Sequence, residues 1–183
     1  ELGYTSGLFG KWHLGGPDER ANDMGWARFA GLLRGAVSAY DRWDRTVDGD
    51  MAVSEIYATT QQVDDLLTWL GEVDGPWFAQ LAFNAPHTPL HVPPAALHAT
   101  DLAEPPTDAQ MFAAMIQAMD TELGRLLGAL DLDNTVVIYM GDNGTGNRLL
   151  RDPYPRRRGK DTLYEGGIAV PFVVAGPGVR VGR

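Results

Sequence analysis

The apolar residues of this chain fall into short runs that are separated by amphipathic segments. Each run is bounded by glycine, proline or polar residues, which is typical of a buried strand. The four predicted strands cover residues 4–9, 77–83, 135–140 and 170–175. Because helical segments separate these strands, the order predicts an α/β fold, a mostly parallel sheet with helices on both faces.

Two segments carry apolar residues three and four positions apart, which predicts helices that each bury one face. The first covers residues 53–70, and the second covers residues 111–130. Thr107 or Asp108 is suited to cap the second helix. Its stripe of methionines is predicted to fill gaps in the core, with no cofactor role.

Composition narrows the class of protein. A chain of 183 residues is predicted to form a single domain over 1–183 with a sizeable core. The net charge of −9 argues against nucleic acid as a partner, and no apolar run is long enough to span a membrane. The absence of cysteine excludes disulfides and thiolate metal sites. The chain as a whole is acidic, but residues 148–160 are basic, with six arginine or lysine residues and one aspartate.

Polar residues with potential chemistry follow three of the predicted strands. Lys11 and His13 follow the first strand, His87 follows the second, and Asp142 and Asn143 follow the third. In an extended segment Lys11 and His13 would share one side, because side chains alternate along a strand. Ligands of open α/β sheets bind beyond the carboxyl ends of the strands. We therefore expect these side chains to converge on one anion site.

Each motif also has a plainer interpretation. A Lys-x-His pair is commonly a surface lysine beside a packed histidine, and Gly-Asp-Asn-Gly is a common turn. Lys160 fits a surface position in the basic loop, and His87 fits a structural role in a rigid loop. His91 and His98 are predicted to be structural or peripheral.

The oxygen atoms of Asp142 and Asn143 favour a hard cation, Ca²⁺ or Mg²⁺, over a soft metal. Two ligands are too few, because Ca²⁺ takes about six to eight oxygens. A metal at this position therefore needs further ligands from elsewhere.

Four segments resemble, in the same order, segments of the type I sulfatases. They are GYTSGLFGKWHLG (3–15), AFNAPHTPLHVPP (82–94), GDNGT (141–145) and GKDTLYEGGIAVP (159–171). The resemblance implies the alkaline-phosphatase-like α/β sandwich and hydrolysis of sulfate esters with bound Ca²⁺, Mg²⁺ being the weaker alternative. The substrate class would be a sulfated small molecule or glycan, and members of the family are commonly exported.

The resemblance also implies roles for individual residues. Lys11 would contact the sulfate and the nucleophile, and His13 would hydrogen-bond the nucleophile's hydroxyl group. His87 would lie beside the sulfate and the leaving oxygen, and Lys160 would bind a sulfate oxygen. Asp142 and Asn143 would ligate the calcium ion.

The sequence departs from the family pattern in several places. The family nucleophile is a formylglycine made from a Cys or Ser in a Cys/Ser-x-Pro-x-Arg motif, which this chain lacks. The paired aspartates that complete the family's calcium shell would precede Glu1, and Ala169 stands where arginine is usual. The chain also ends before the C-terminal subdomain. We therefore interpret it as an internal portion of a sulfatase that is inactive by itself, with its oligomeric state left open.

Two other functions fit the same residues. Related enzymes hydrolyse phosphate or phosphonate esters with similar metal-binding loops, and the nucleophile would separate them from sulfatases. A short non-catalytic module that binds an anion or a partner protein is the alternative outside enzymes; its exposed sheet edges would favour pairing with another chain.

Overall fold

The computed structural model describes residues 2–15, 20–180 and 182. The chain forms two compact units, which are Glu1–Ala129 and Leu130–Arg183. The single domain expected over 1–183 stays a prediction.

A mixed five-stranded sheet forms the centre of the first unit. Its strands are β1 (Thr5–Lys11), β2 (Arg28–Leu32), β3 (Trp43–Val47), β4 (Asp50–Ser54) and β5 (Trp77–Ala82). They are ordered β4-β3-β2-β1-β5, with β1 parallel to both β2 and β5 and the remaining pairs antiparallel. The carboxyl ends of β1, β2 and β5 therefore lie at one edge of the sheet, as the sequence predicts for β1 and β5.

Two long helices complete the core of this unit. The first is α1 (Ala58–Leu70), which packs against β1, and its Trp69 ring lies 5.5 Å from the Phe9 ring. The second is α2 (Asp108–Ala129), which begins with the predicted Thr107 cap. The Thr107 hydroxyl accepts a hydrogen bond from the amide of Gln110, and the Gln110 side chain accepts one from the amide of Thr107. Met115 on α2 is fully buried and the partly buried Met119 packs against the same core cluster, so the predicted core role is confirmed at these two positions of the methionine stripe.

The first predicted helix begins later than its apolar spacing indicates. Val53 lies in β4 and Ile56 precedes the helix, so residues 53–57 are not helical. β3 and β4 form a hairpin that the sequence analysis missed. Its turn contains Asp48 and Gly49, both with positive φ, and an Asp-Gly pair between two strands is a strong hairpin signal.

The second unit contains β6 (Val137–Met140), α3 (Glu165–Ile168) and β7 (Phe172–Ala175). β6 and β7 confirm the predicted strands at 135–140 and 170–175, but they pair with each other in an antiparallel two-stranded sheet. β6 is therefore not hydrogen-bonded to the strands of the five-stranded sheet among the described residues.

Three of the predicted strands are less buried than expected. Phe78 in β5, Ile138 in β6 and Phe172 in β7 are 56%, 59% and 63% exposed. An apolar run predicts a strand well, because β-branched and aromatic residues suit extended backbone. It does not tell which face a neighbouring element covers, so the expectation of full burial was wrong at these positions.

Candidate functional site

Lys11 is the last residue of β1 and lies at the carboxyl edge of the five-stranded sheet. Its neighbour Gly10 has φ of 94° and is in register with Ala82 of β5. A Cβ atom at Gly10 would overlap the carbonyl oxygen of Ala82, so a side chain there would push the two strands apart. This close approach of the two strands fixes the position from which Lys11 leaves the sheet.

His13 lies beyond β1, so strand alternation does not set its direction. Its φ of 53° is left-handed, and its amide donates a hydrogen bond of 3.1 Å to the carbonyl of Leu33. The exposed imidazole packs over Gly35, where a Cβ atom would overlap the ring. The argument that placed Lys11 and His13 on the same side of one strand was therefore wrong, because a loop holds His13.

Replacing Gly35 with alanine is expected to displace the His13 imidazole. The new methyl group would occupy the space of the ring, and because the exposed ring can move away we expect a cost of about 1 kcal/mol, the lower end of the range for overpacking. NMR spectra of the imidazole groups would then show shifted His13 resonances. Gly124→Ala is the control, since its Cβ would meet no described atom within 4 Å. Unchanged His13 resonances in the Gly35 variant would contradict the packing.

His87 lies in the loop that follows β5, and hydrogen bonds fix its backbone and its ring. The Tyr40 hydroxyl donates to the carbonyl of His87 at 2.8 Å, and the His87 amide donates to the carbonyl of Asn84 at 2.9 Å. Nδ1 of His87 is 3.0 Å from the carbonyl oxygen of Thr88 and must donate to it. Nε2 is therefore the nitrogen at which the neutral ring accepts a proton. An imidazole held in this way can donate that proton to a leaving group.

Asn84 anchors the start of the same loop inside the first unit. Its side chain is buried, and its Oδ1 accepts a hydrogen bond from Nε2 of Gln62 on α1. The Gln62 side chain also accepts a hydrogen bond of 3.4 Å from the amide of Asn84. α1 and β5 thereby hold the point where the chain enters the His87 loop.

His91 supports the far side of this loop, in agreement with its predicted structural role. Its ring stacks on Tyr40 with centroids 4.3 Å apart, and its Nδ1 donates to the carbonyl of Pro89 at 3.1 Å. The Tyr57 hydroxyl donates to Nε2 of His91 at 3.0 Å. Burial raises the pKa of Tyr57 to about 12, and burial also raises the pKa of Tyr40. Both phenols therefore remain proton donors at neutral pH.

An NMR titration is expected to give His91 a pKa below the ordinary histidine value of about 6.5. Burial disfavours the imidazolium and outweighs the Pro89 carbonyl and the Asp41 carboxylate, which both favour it. In the unfolded chain His91 has the ordinary pKa, so below about pH 6.5 the unfolded chain binds more protons than the folded chain. The free energy of unfolding therefore decreases as the pH falls from about 6.5 to the pKa of His91 in the folded chain. Tyr57→Phe removes a donor to the neutral ring and is expected to raise the midpoint. A midpoint at or above the ordinary value in the unaltered chain would contradict this.

In the second unit, hydrogen bonds join the segment that carries Asp142 and Asn143 to the segment that carries Lys160. The Lys160 amide donates to the carbonyl of Thr145 at 2.8 Å, and the Gly144 amide donates to the carbonyl of Gly167 at 2.9 Å. A Cβ atom at Gly144 would overlap the carbonyl oxygen of Gly166, so the two backbones are in direct contact. The structure therefore brings these two motifs together within one unit.

Asp142 and Asn143 are the residues that the sequence predicts as ligands of a hard cation, and that assignment stays a prediction. Both residues are exposed, and Nδ2 of Asn143 donates to the carbonyl of Gly144 at 2.9 Å, so Oδ1 remains as the oxygen donor of this amide. Two side-chain oxygen donors fit Ca²⁺ chemistry but fill only part of its shell of about six to eight ligands. Among the described residues, no group of three or more His, Cys, Asp or Glu side chains is arranged to hold a metal.

The predicted site residues therefore form two groups. Lys11, His13 and His87 lie in the first unit, and Asp142, Asn143 and Lys160 lie in the second. The expectation that both groups serve one substrate stays a prediction.

Sequence reasoning missed Tyr40, because its contact with His87 spans 47 residues and has no local signal. Within the described part of the chain, no helix is both long and apolar enough to cross a membrane.

Comparisons with known proteins agree on one family. A sulfatase family model matches residues 1–182. The protein named Arylsulfatase J of Mus musculus is 29% identical over 94% of this chain and 32% of its own length. N-acetylgalactosamine-6-sulfatase of Canis lupus familiaris is 24% identical over 100% of this chain and 40% of its own length. This chain thus spans well under half the length of these curated relatives.

A solved structure supports the same assignment of the fold. The crystal structure of Ps i-CgsB in complex with k-i-k-neocarrahexaose matches with a TM-score of 0.78 and 25% identity. The match covers 96% of this chain and 45% of that chain. The predicted α/β sulfatase fold, represented in part by this chain, is confirmed.

Proposed function

The chain belongs to the sulfatase family, and on that premise we propose that the whole protein hydrolyses sulfate esters with Ca²⁺ bound at its site. The observation that carries the proposal is the setting of His87. Tyr40 and Asn84 fix its backbone, and Thr88 holds Nδ1, so proton exchange falls to Nε2. Such a ring is suited to protonate the leaving oxygen as the S–O bond breaks.

The two lysines supply positive charge for the sulfate group. Transfer of a sulfuryl group leaves negative charge on its peripheral oxygens, and fixed cations stabilise that charge in the transition state. We assign this role to Lys11, whose backbone is fixed by the sheet, and to Lys160, whose backbone is tied to Thr145. His13 is assigned the hydrogen bond to the nucleophile's hydroxyl group.

Asp142 and Asn143 are proposed to hold the calcium ion through their side-chain oxygens. When bound, a divalent cation supplies Lewis-acid stabilisation of negatively charged oxygens. The remaining ligands would come from other parts of the whole protein.

The nucleophile is proposed to be the family's formylglycine. This chain contains no cysteine and no Ser-x-Pro-x-Arg motif from which it could be made. The 183-residue chain is therefore expected to show no turnover by itself, because it has no nucleophile to activate. Detectable sulfatase activity of this chain alone would refute that part of the proposal.

The substrate is proposed to be a sulfated sugar or an aryl sulfate. Support comes from the relatives named N-acetylgalactosamine-6-sulfatase and Arylsulfatase J. The structural relative Ps i-CgsB was solved with an oligosaccharide, k-i-k-neocarrahexaose. These names point to sulfate carried on a sugar or an aromatic ring as the first compounds to assay.

The proposal is tested by assaying the whole protein, with calcium, on 4-nitrophenyl sulfate, N-acetylgalactosamine 6-sulfate and 4-nitrophenyl phosphate. Turnover of a sulfate ester that exceeds turnover of the phosphate ester is expected. Preferential hydrolysis of the phosphate ester would identify a phosphatase of the same superfamily instead. No hydrolysis of any of these esters would support a non-catalytic binding module and overturn the proposal.

A further inference from the structure

The second unit contains a cavity of about 290 Å³ that is open to the surface; its lining is basic, and all the lining residues except Leu150 are exposed. Four of its six lining residues are arginines, and the set is Asn147, Arg148, Leu150, Arg151, Arg156 and Arg157. The whole chain carries a net charge of −9, so this concentration of positive charge runs against the average of the protein. The candidate site residues of this unit, Asp142, Asn143 and Lys160, do not include any of these arginines.

Turns and packing contacts shape the loop around the cavity. The Leu150 amide donates to the carbonyl of Gly146 at 3.1 Å, and the Leu150 side chain is 8% exposed. The Tyr154 amide donates to the carbonyl of Arg151 at 3.1 Å. Arg158, next to the lining residues, places its guanidinium 4.3 Å from the centre of the Tyr164 ring. The guanidinium groups are therefore carried on a folded segment.

Three of the four lining arginines have charge to offer a ligand. No ion pair between described residues involves Arg151, Arg156 or Arg157. Several guanidinium groups around one space repel each other, and a bound oxyanion would relieve that repulsion. Arginine forms paired, charge-assisted hydrogen bonds with carboxylate and with tetrahedral oxyanions. The chemistry of the lining therefore selects an anionic group.

Asn147 connects the cavity to the proposed sulfate-binding segment. Asn147 is one of the lining residues, and its Oδ1 accepts a hydrogen bond of 3.0 Å from the amide of Gly159. Gly159 directly precedes Lys160 and is buried, and a Cβ atom there would overlap the carbonyl oxygen of Thr145. The basic loop and the Lys160 segment are thus joined by close packing within the same unit.

We propose that this cavity is a second anion site, which binds a sulfate or carboxylate group of the substrate other than the group that is hydrolysed. The proposal rests on the proposed function, because it assigns the cavity to the same substrate. The whole protein then prefers saccharides with two or more anionic groups. A volume of about 290 Å³ is at the lower limit of small-molecule pockets and suits one anionic group with part of its sugar.

The test compares kcat/KM of the whole protein for three substrates: a 6-sulfated N-acetylgalactosamine, its 4,6-disulfate, and the 6-sulfated sugar linked to glucuronate. Arg156→Gln is expected to lower the preference for an additional anion by about 10–100-fold, mainly through KM. The disulfate and the glucuronate conjugate show which anion the cavity takes. Arg180→Gln is the control, since it removes one charge from an exposed arginine of the same unit that does not line the cavity.

An unchanged preference in Arg156→Gln, or an equal loss in Arg180→Gln, would overturn the proposal. Equilibrium binding separates this proposal from the proposed function. If the whole protein hydrolyses no sulfate ester, calorimetry can still measure the affinity for the 4,6-disulfate. The affinity of the unaltered protein is then compared with that of the Arg156→Gln variant. Weaker binding in that variant alone supports the anion site without catalysis, and binding that is absent or unaffected overturns it.

Discussion

Replacing His87 with glutamine is expected to lower the turnover of a sugar sulfate by the whole protein by about 10²–10⁴-fold. Glutamine can keep a similar shape and hydrogen bonds, but it cannot carry the proton that the leaving sugar oxygen requires. The loss should fall mainly on kcat, because proton donation is needed in the transition state and not in the bound substrate.

The leaving group supplies an internal control for this prediction. The 4-nitrophenolate leaves without a proton more readily than a sugar alkoxide does, so the same variant should lose much less activity on 4-nitrophenyl sulfate. Equal losses on both substrates would contradict proton donation by His87 and favour a role in binding. Tyr40→Phe is a milder companion variant, since it removes only the hydroxyl that donates to the His87 carbonyl.

Replacing Arg45 with alanine is expected to destabilise the first unit by about 3 kcal/mol. Arg45 on β3 makes two hydrogen bonds, of 2.8 and 2.6 Å, to the carboxylate of Asp65 on α1. The Asp65 side chain is 6% exposed, so the variant leaves a buried carboxylate without its cation. The hydrogen bond from Gln61 to Asp65, at 2.9 Å, keeps the loss below that of a wholly unpaired charge.

Arg42→Ala is the matched control, because it removes an arginine that pairs with Glu55 at the surface. Both partners are mostly exposed, 63% and 74%, and exposed pairs contribute about 0–1 kcal/mol. All five tryptophans lie in the first unit, so urea unfolding followed by tryptophan fluorescence reports on that unit. A similar loss of stability in both variants would contradict the account of the buried pair.

Local signals predicted much of the fold. The apolar runs identified β1, β5, β6 and β7, and the Thr107 cap placed the start of α2 correctly. The hairpin of β3 and β4 was missed although Asp48-Gly49 marks its turn, because the helical spacing of Val53 and Ile56 was extended into it. Over a single helical turn, apolar residues often match the helical period of about 3.6 residues by chance. The Asp48-Gly49 pair was therefore the stronger signal, and it indicates a hairpin.

The pairing of strands was beyond the reach of the sequence. β6 pairs with β7 and not with the strands of the first sheet, and apolar runs of the same kind fit either arrangement. The exposed faces at Phe78 and Ile138 show the same limit, because composition does not name the element that covers a strand.

The positions of the candidate site residues were predicted better than the forces that hold them. As predicted, Lys11 lies at the end of β1 and His87 follows β5, and these two strands are parallel neighbours. His13 was assigned to an extended segment, whereas its left-handed backbone and the space over Gly35 hold it in a loop. The contact of Tyr40 with His87 joins distant parts of the chain, and only a folded structure shows it.

The most direct test of the central claim is a double-mutant cycle in the whole protein. The proposed function holds that His87 and Lys160 both act on the sulfate group that is hydrolysed. Each single variant, His87→Gln or Lys160→Gln, lowers kcat/KM by some factor. We predict that the factor lost in the double variant is smaller than the product of the two single factors by about tenfold or more. Single losses that multiply to within about twofold would show that the two residues act independently, and would contradict the account.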